Sequence, residues 1–91
     1  MYSKQTTLKN ASGLHARPAS DFVMKAKTFA SKVTVRNVSD PDAEAVNAKS
    51  IVRILAQGLA MGAVVEVAAE GDDEVAAVDE LIALVDSGFG E

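Results

Sequence analysis

An α+β fold, with one mostly antiparallel sheet and helices packed on one face in the order strand, helix, strand, strand, helix, strand, helix, is what this sequence predicts. Three observations carry that expectation. Two segments, Pro18 to Ala30 and Val75 to Val85, place apolar residues at helical spacing. Two Val-rich runs, Lys32 to Val38 and Ala63 to Ala69, read as strands. The length of 91 residues suits one hydrophobic core and leaves no room for a second, so residues 1–91 are expected to form a single domain.

The first strand is expected over Tyr2 to Leu8. Gly13 then marks a turn, and the first helix begins close to Arg17 and Pro18, because proline lacks an amide hydrogen and presets φ for a first helical turn. Its apolar face is Ala19, Phe22, Val23, Ala26, Phe29 and Ala30. In the second strand Val33, Val35 and Val38 are interleaved with Thr34 and Arg36, the pattern of a half-buried strand. A turn at Ser39-Asp40-Pro41-Asp42 leads to a short partner strand over Ala43 to Val46. Ser50 is placed to cap a brief helix carrying Ile51, Ile54 and Leu55, which Gly58 ends. Gly62 and Gly71 bound the fourth strand. The last helix is capped or favoured at its positive end by Asp72 or Asp73, buries Val75, Val78, Ile82 and Val85, and stops at Gly88.

Composition excludes several classes of function. Nine Lys and Arg against thirteen Asp and Glu give a net charge of −4, so no positive field draws nucleic acid or anionic membrane. No apolar run approaches the roughly 20 residues of a membrane span, and the opening MYSKQTTLKN lacks the features of an export signal. A cytoplasmic location without membrane insertion is the expectation. With no cysteine and one histidine, disulfides, thiolate nucleophiles and multi-histidine metal sites are ruled out, and neither metal nor cofactor is expected.

The single histidine stands in Ser12-Gly13-Leu14-His15-Ala16-Arg17-Pro18-Ala19, between a glycine turn and a helix start. The first amides of a helix have no intrahelical acceptors, and the helix dipole adds partial positive charge, so an anion is favoured there. That positive end disfavours imidazolium and favours the neutral ring, whose free lone pair can attack phosphorus. A phosphate on His15 would meet the free amides, and Arg17 brings a charged fork able to bond phosphate oxygens in pairs. A carrier must also release its cargo, and Pro18 removes one donor from the cradle, limiting how tightly the phosphate is held. On position alone, His15 ending a loop and Arg17 solvating the surface is the more ordinary reading.

Gly13 to Ala19, Gly-Leu-His-Ala-Arg-Pro-Ala, closely resembles the active-site sequence of the HPr family, the histidine-containing phosphocarriers of the bacterial sugar phosphotransferase system. Asn47-Ala48-Lys49-Ser50-Ile51 is similar to that family's regulatory-serine segment, and the element order and length fit its open-faced β-sandwich, a four-stranded antiparallel sheet with three helices on one face. The resemblance implies that His15 accepts phosphate at Nδ1 from phosphorylated Enzyme I, itself charged by phosphoenolpyruvate, and passes it to the IIA domains of sugar permeases. It also implies that Arg17 is the active-site arginine, that Ser12 and Ala16 flank the phosphate, and that the protein is a monomeric co-substrate with no turnover of its own.

Ser50 has two readings. Its hydroxyl can cap the second helix, worth about 1 kcal/mol. A phosphate there would place roughly two negative charges beside an apolar docking surface and weaken it. In HPr proteins of many Gram-positive bacteria the matching serine is a target of HPr kinase/phosphorylase and the product acts with a catabolite control protein, while related proteins keep the serine without that regulation. Here Val52 and Leu55 stand where methionines usually follow that serine, and Arg53 where glycine is frequent, so those contacts are expected to differ. Leu14, Ile51, Val52 and Leu55 form the expected apolar partner surface, although Ile51 and Ile54 suit a core equally well. The acidic Ser39–Asp42 hairpin is longer than the family's tight turn and is expected only to lengthen a loop. Two other functions stand beside the sugar relay: a regulatory module acting through Ser50 and a transcriptional regulator, and a nitrogen-related phosphotransfer relay. A structural domain binding a loose anion is the remaining reading.

Overall fold

The computed structural model describes residues 1–91. Four strands, β1 (Tyr2–Thr7), β2 (Lys32–Asn37), β3 (Val46–Asn47) and β4 (Val64–Glu70), alternate with α1 (Ala16–Ala26), α2 (Ile51–Ala56) and α3 (Glu74–Asp86) in the expected order. The sheet is antiparallel throughout, in spatial order β1-β4-β2-β3. β4 therefore lies inside the sheet, with Val65, Val67 and Ala69 buried beneath the helices and opposite Asn37, Val35 and Val33 of β2 respectively. Phe22, Val23 and Ala26 of α1, Ile54 of α2, and Ala77, Val78, Leu81 and Val85 of α3 close this core from one side. The other face of the sheet is lined by residues such as Gln5, Glu66 and Arg36, which bond to one another across the strands.

The first helix stops a turn early. Periodicity carries its apolar face to Ala30, yet α1 ends at Ala26, because Thr28 donates both its amide and its hydroxyl to the Lys25 carbonyl and Phe29 N–H donates to Ala26. The chain is then caught by Asp73, whose carboxylate accepts from the amides of Ala30 and Ser31, each at 2.9 Å, and from the Ser31 hydroxyl. Phe29 still packs against the core, from a loop. Asp73 thus occupies the N-cap position of α3 without capping it by a side-chain bond, and ties the entry of β2 instead. The expected apolar stripe of α3 is also rotated: Val75 is exposed and Ile82 half-buried, while Ala77 and Leu81 take buried places.

β3 is shorter and later than the expected Ala43 to Val46. Only Val46 and Asn47 pair with β2, opposite Val35 and Thr34. Continuing that register would set Asn37 opposite Glu44, and there the Gln57 side chain intervenes. Its oxygen accepts from Asn37 N–H at 2.9 Å, and its nitrogen donates to the Glu44 carbonyl at 3.0 Å. The amide satisfies both backbone groups that a longer ladder would have paired.

Candidate functional site

The site is built from the loop between β1 and α1. Gly13 has φ of +61°, and a Cβ there would stand 2.3 Å from the Leu59 carbonyl oxygen, so both conformation and space require glycine. The close approach lets Leu14 N–H donate to that same carbonyl at 2.7 Å. The Leu14 side chain is fully buried. This corrects its expected place on an exposed partner surface: the bond to Leu59 turns the side chain into the core, where it anchors the next residue.

That residue is His15, half-buried, with the extended backbone of an N-cap (φ −130°, ψ 163°) and no side-chain capping bond. N-cap positions usually hold Ser, Thr, Asp or Asn, whose oxygen consumes a first-turn donor. Imidazole here does not, and by helix geometry the amides of Ala16 and Arg17 have no intrahelical acceptor. Pro18 carries no amide hydrogen and is buried. Ala16 has φ of +52°, a left-handed conformation that costs a residue with a Cβ about 1–2 kcal/mol. Helical geometry therefore begins at Arg17, as the proline position suggests.

The Arg17 side chain is 91% exposed, and its Nε lies 3.9 Å from Asp21 Oδ2 on the next turn. Such a surface pair is worth at most about 1 kcal/mol, so the guanidinium is free to reach an anion at the start of its own helix.

Ser12 is already engaged. Its amide and hydroxyl donate to the Glu91 carboxylate at 3.1 and 2.9 Å, and Asn10 Nδ2 donates to the same group at 3.0 Å and to the Gly13 carbonyl at 2.9 Å. Serving two acceptors fixes the Asn10 amide so that its buried oxygen has no hydrogen-bond partner. The backbone hydrogen bond from Ser12, then those from the side chains of Asn10 and Ser12, hold the Glu91 carboxyl below the usual carboxylate range. Sequence reasoning missed Glu91 and Asn10, because nothing in local spacing connects residues 81 positions apart.

α2 packs beside α1. Ser50 is its N-cap and accepts from Arg53 N–H at a long 3.4 Å. Ile54 is buried in the core, whereas Ile51, Val52 and Leu55 are exposed, Val52 at 71%. Met24 on α1 and Met61 in the loop before β4 are exposed as well and were not singled out from sequence. The signal for Met24 was present, since it is an apolar residue off the buried stripe of α1. Neither surface depression of the molecule is lined by His15 or Arg17; both lie along β2.

A half-exposed imidazole on an uncapped helix start, next to a well-exposed arginine, suits the class of protein that carries a group on one side chain and presents it to other proteins. The comparisons name the family. The model described as the PTS HPr component phosphorylation site matches residues 2–87, and the chain belongs to this HPr family, phosphocarriers of the phosphotransferase system rather than enzymes. It is 38% identical over 85 residues to the phosphocarrier protein HPr of Haemophilus influenzae, covering 93% of this chain and 95% of that one. It is 39% identical to the multiphosphoryl transfer protein of the same organism, of whose length it spans only 17%. The crystal structure of HPr-C-His from Thermoanaerobacter tengcongensis superposes with a TM-score of 0.91 at 45% identity, covering 100% of this chain and 98% of the other.

Proposed function

We propose that His15 is the phosphoryl-accepting residue of a cytoplasmic relay, loaded by Enzyme I and discharged to IIA domains of sugar permeases. The observation that carries this reading is the N-cap position of His15 without a capping bond, which leaves the first amides of α1 to an incoming anion. In the transfer, a lone pair of the neutral imidazole, at Nδ1 by family resemblance, attacks the donor's phosphorus. One P–N bond forms on His15 as the bond from phosphorus to the donor's leaving group breaks, and the electron pair departs with that group. Onward transfer reverses these roles at an acceptor nucleophile.

Ala16 and Arg17 supply the amides, and Arg17 supplies the mobile charge that neutralises the transferring phosphoryl. Few donors are fixed in place, because Pro18 has none and the Arg17 head is anchored only loosely. The loaded state is thereby stabilised without being trapped. Ile51, Val52 and Leu55 form the docking surface on α2, beside α1.

The test is direct. Incubation with Enzyme I and phosphoenolpyruvate should give an acid-labile, alkali-stable phosphate that is absent from His15→Ala. Label surviving that substitution would remove the relay reading.

The weak cap at Ser50 favours a second, compatible role. A hydroxyl held at 3.4 Å gives up little on modification, and a phosphate there would set two charges against Ile51, Val52 and Leu55. HPr kinase/phosphorylase with ATP should produce an acid-stable adduct lost in Ser50→Ala. An adduct on Ser50 is also what a catabolite control protein would recognise.

A further inference from the structure

We infer that the Glu91 carboxylate is an internal anionic ligand of the loop that presents His15, holding Ser12 donors that the phosphoryl group of loaded His15 would otherwise take, so that seating Glu91 and loading His15 oppose each other.

The geometry is specific. Segment 88–91 is folded back on the body of the protein: Gly88 is buried with φ of +73°, Phe89 packs against the core with φ of +56°, and Glu91 N–H donates to the Gly88 carbonyl at 3.0 Å. This bend delivers Glu91 to three donors in the Asn10–Ser12 stretch, three to five residues before His15. All three are neutral. No lysine or arginine pairs with Glu91, and Arg17 pairs with Asp21 instead. The carboxylate keeps its charge by hydrogen bonding alone, as a bound anion does in a site made of N–H and O–H groups.

A dianionic phosphoryl group at His15 would repel that charge and compete for the same hydroxyl. The inference rests on the relay reading in that His15 is taken as the loaded residue.

The experiment loads His15 in two ways. Phosphoramidate serves as a chemical donor whose P–N bond breaks as the ring nitrogen attacks, releasing ammonia. Enzyme I with a fixed ratio of phosphoenolpyruvate to pyruvate serves as the second donor. In the wild-type protein, loading by either donor should move the NMR resonances of the Glu91 carboxyl carbon and the Ser12 amide, as the carboxylate leaves its donors. Under the Enzyme I poise, Glu91→Ala and Glu91→Gln should raise the ratio of loaded to free carrier, by about five-fold for the alanine variant, the lower end of common coupling between sites.

A Glu91 carboxyl resonance that stays put on loading overturns the inference, as does a ratio that is unchanged or lower in both variants. Loading by phosphoramidate but not by Enzyme I would remove the relay reading while the carboxyl resonance still decides on Glu91. If neither donor loads His15, both readings fall.

Discussion

Gly13 and Ala16 bracket Leu14 and His15, and each is constrained for a different reason. Gly13 touches the backbone of Leu59 and Ala60, so Gly13→Ala must push two segments apart as well as adopt φ of +61°. The expected loss is roughly 3 kcal/mol, read as a lowered denaturant midpoint with unchanged slope. Ala16 carries only the conformational penalty, so Ala16→Gly should stabilise the fold by about 0.5 kcal/mol once the greater freedom of glycine in the unfolded chain is subtracted. Urea titration of the two variants separates these predictions by sign. At this scale the site was partly legible. His15, Arg17 and Pro18 follow from their order around a helix start, and Gly13 from the turn. The left-handed turn at Ala16 did not, since alanine gives no sign of a positive φ, and Leu14 was misplaced because its burial depends on a hydrogen bond to Leu59, far along the chain.

Elements were legible where hydrophobic period decides them and illegible where a distant side chain does. β2 and β4 follow from valine alternation, and α1 from its stripe. The end of α1 and the extent of β3 are set instead by Asp73 and Gln57, which arrive from other elements and take backbone groups that local pattern would have paired internally. Gln57 also accepts from Asn37 Nδ2 through its carbonyl, so the end of α2 is stitched to β2 at two points and to the chain before β3 at a third. Gln57→Ala would leave Asn37 N–H without its acceptor in a largely buried position, at a cost of about 1–3 kcal/mol. Hydrogen exchange should show the Asn37 amide losing protection while Thr34 and Arg36, whose amides face β4 inside the β2–β4 ladder, keep theirs. Equal loss at all three would mean that β3 and α2 open only with the whole sheet. Ser50→Ala should cost less, about 0.5 kcal/mol, because its capping bond is long.

Across the whole molecule, three carboxylates act as clips between parts that the backbone ladder does not join. Asp73 binds the entry of β2 to the start of α3, Asp79 binds Tyr2 and Lys4 of β1 to α3, and Glu91 binds segment 88–91 to the loop before His15. All three are held below their ordinary values: Asp73 chiefly by the Ser31 hydroxyl and then the Ala30 amide, Asp79 chiefly by hydrogen bonding from Lys4 and then from Tyr2, and Glu91 chiefly by the Ser12 amide. A carboxyl whose folded value is depressed releases its proton more readily in the folded state than in the unfolded one. Its stabilisation is therefore complete above the unfolded values, 3.8 for Asp and 4.5 for Glu, and disappears as pH falls through the lowered folded values. Thermal midpoints should be level from neutral pH down to about 5 and then fall steeply. Asp73→Asn should lower the midpoint at neutral pH and make its acid fall shallower, since one proton-linked clip has been removed. A variant that loses stability at neutral pH yet keeps the full acid slope would show that Asp73 contributes geometry without proton linkage, and that the slope belongs to Asp79 and Glu91.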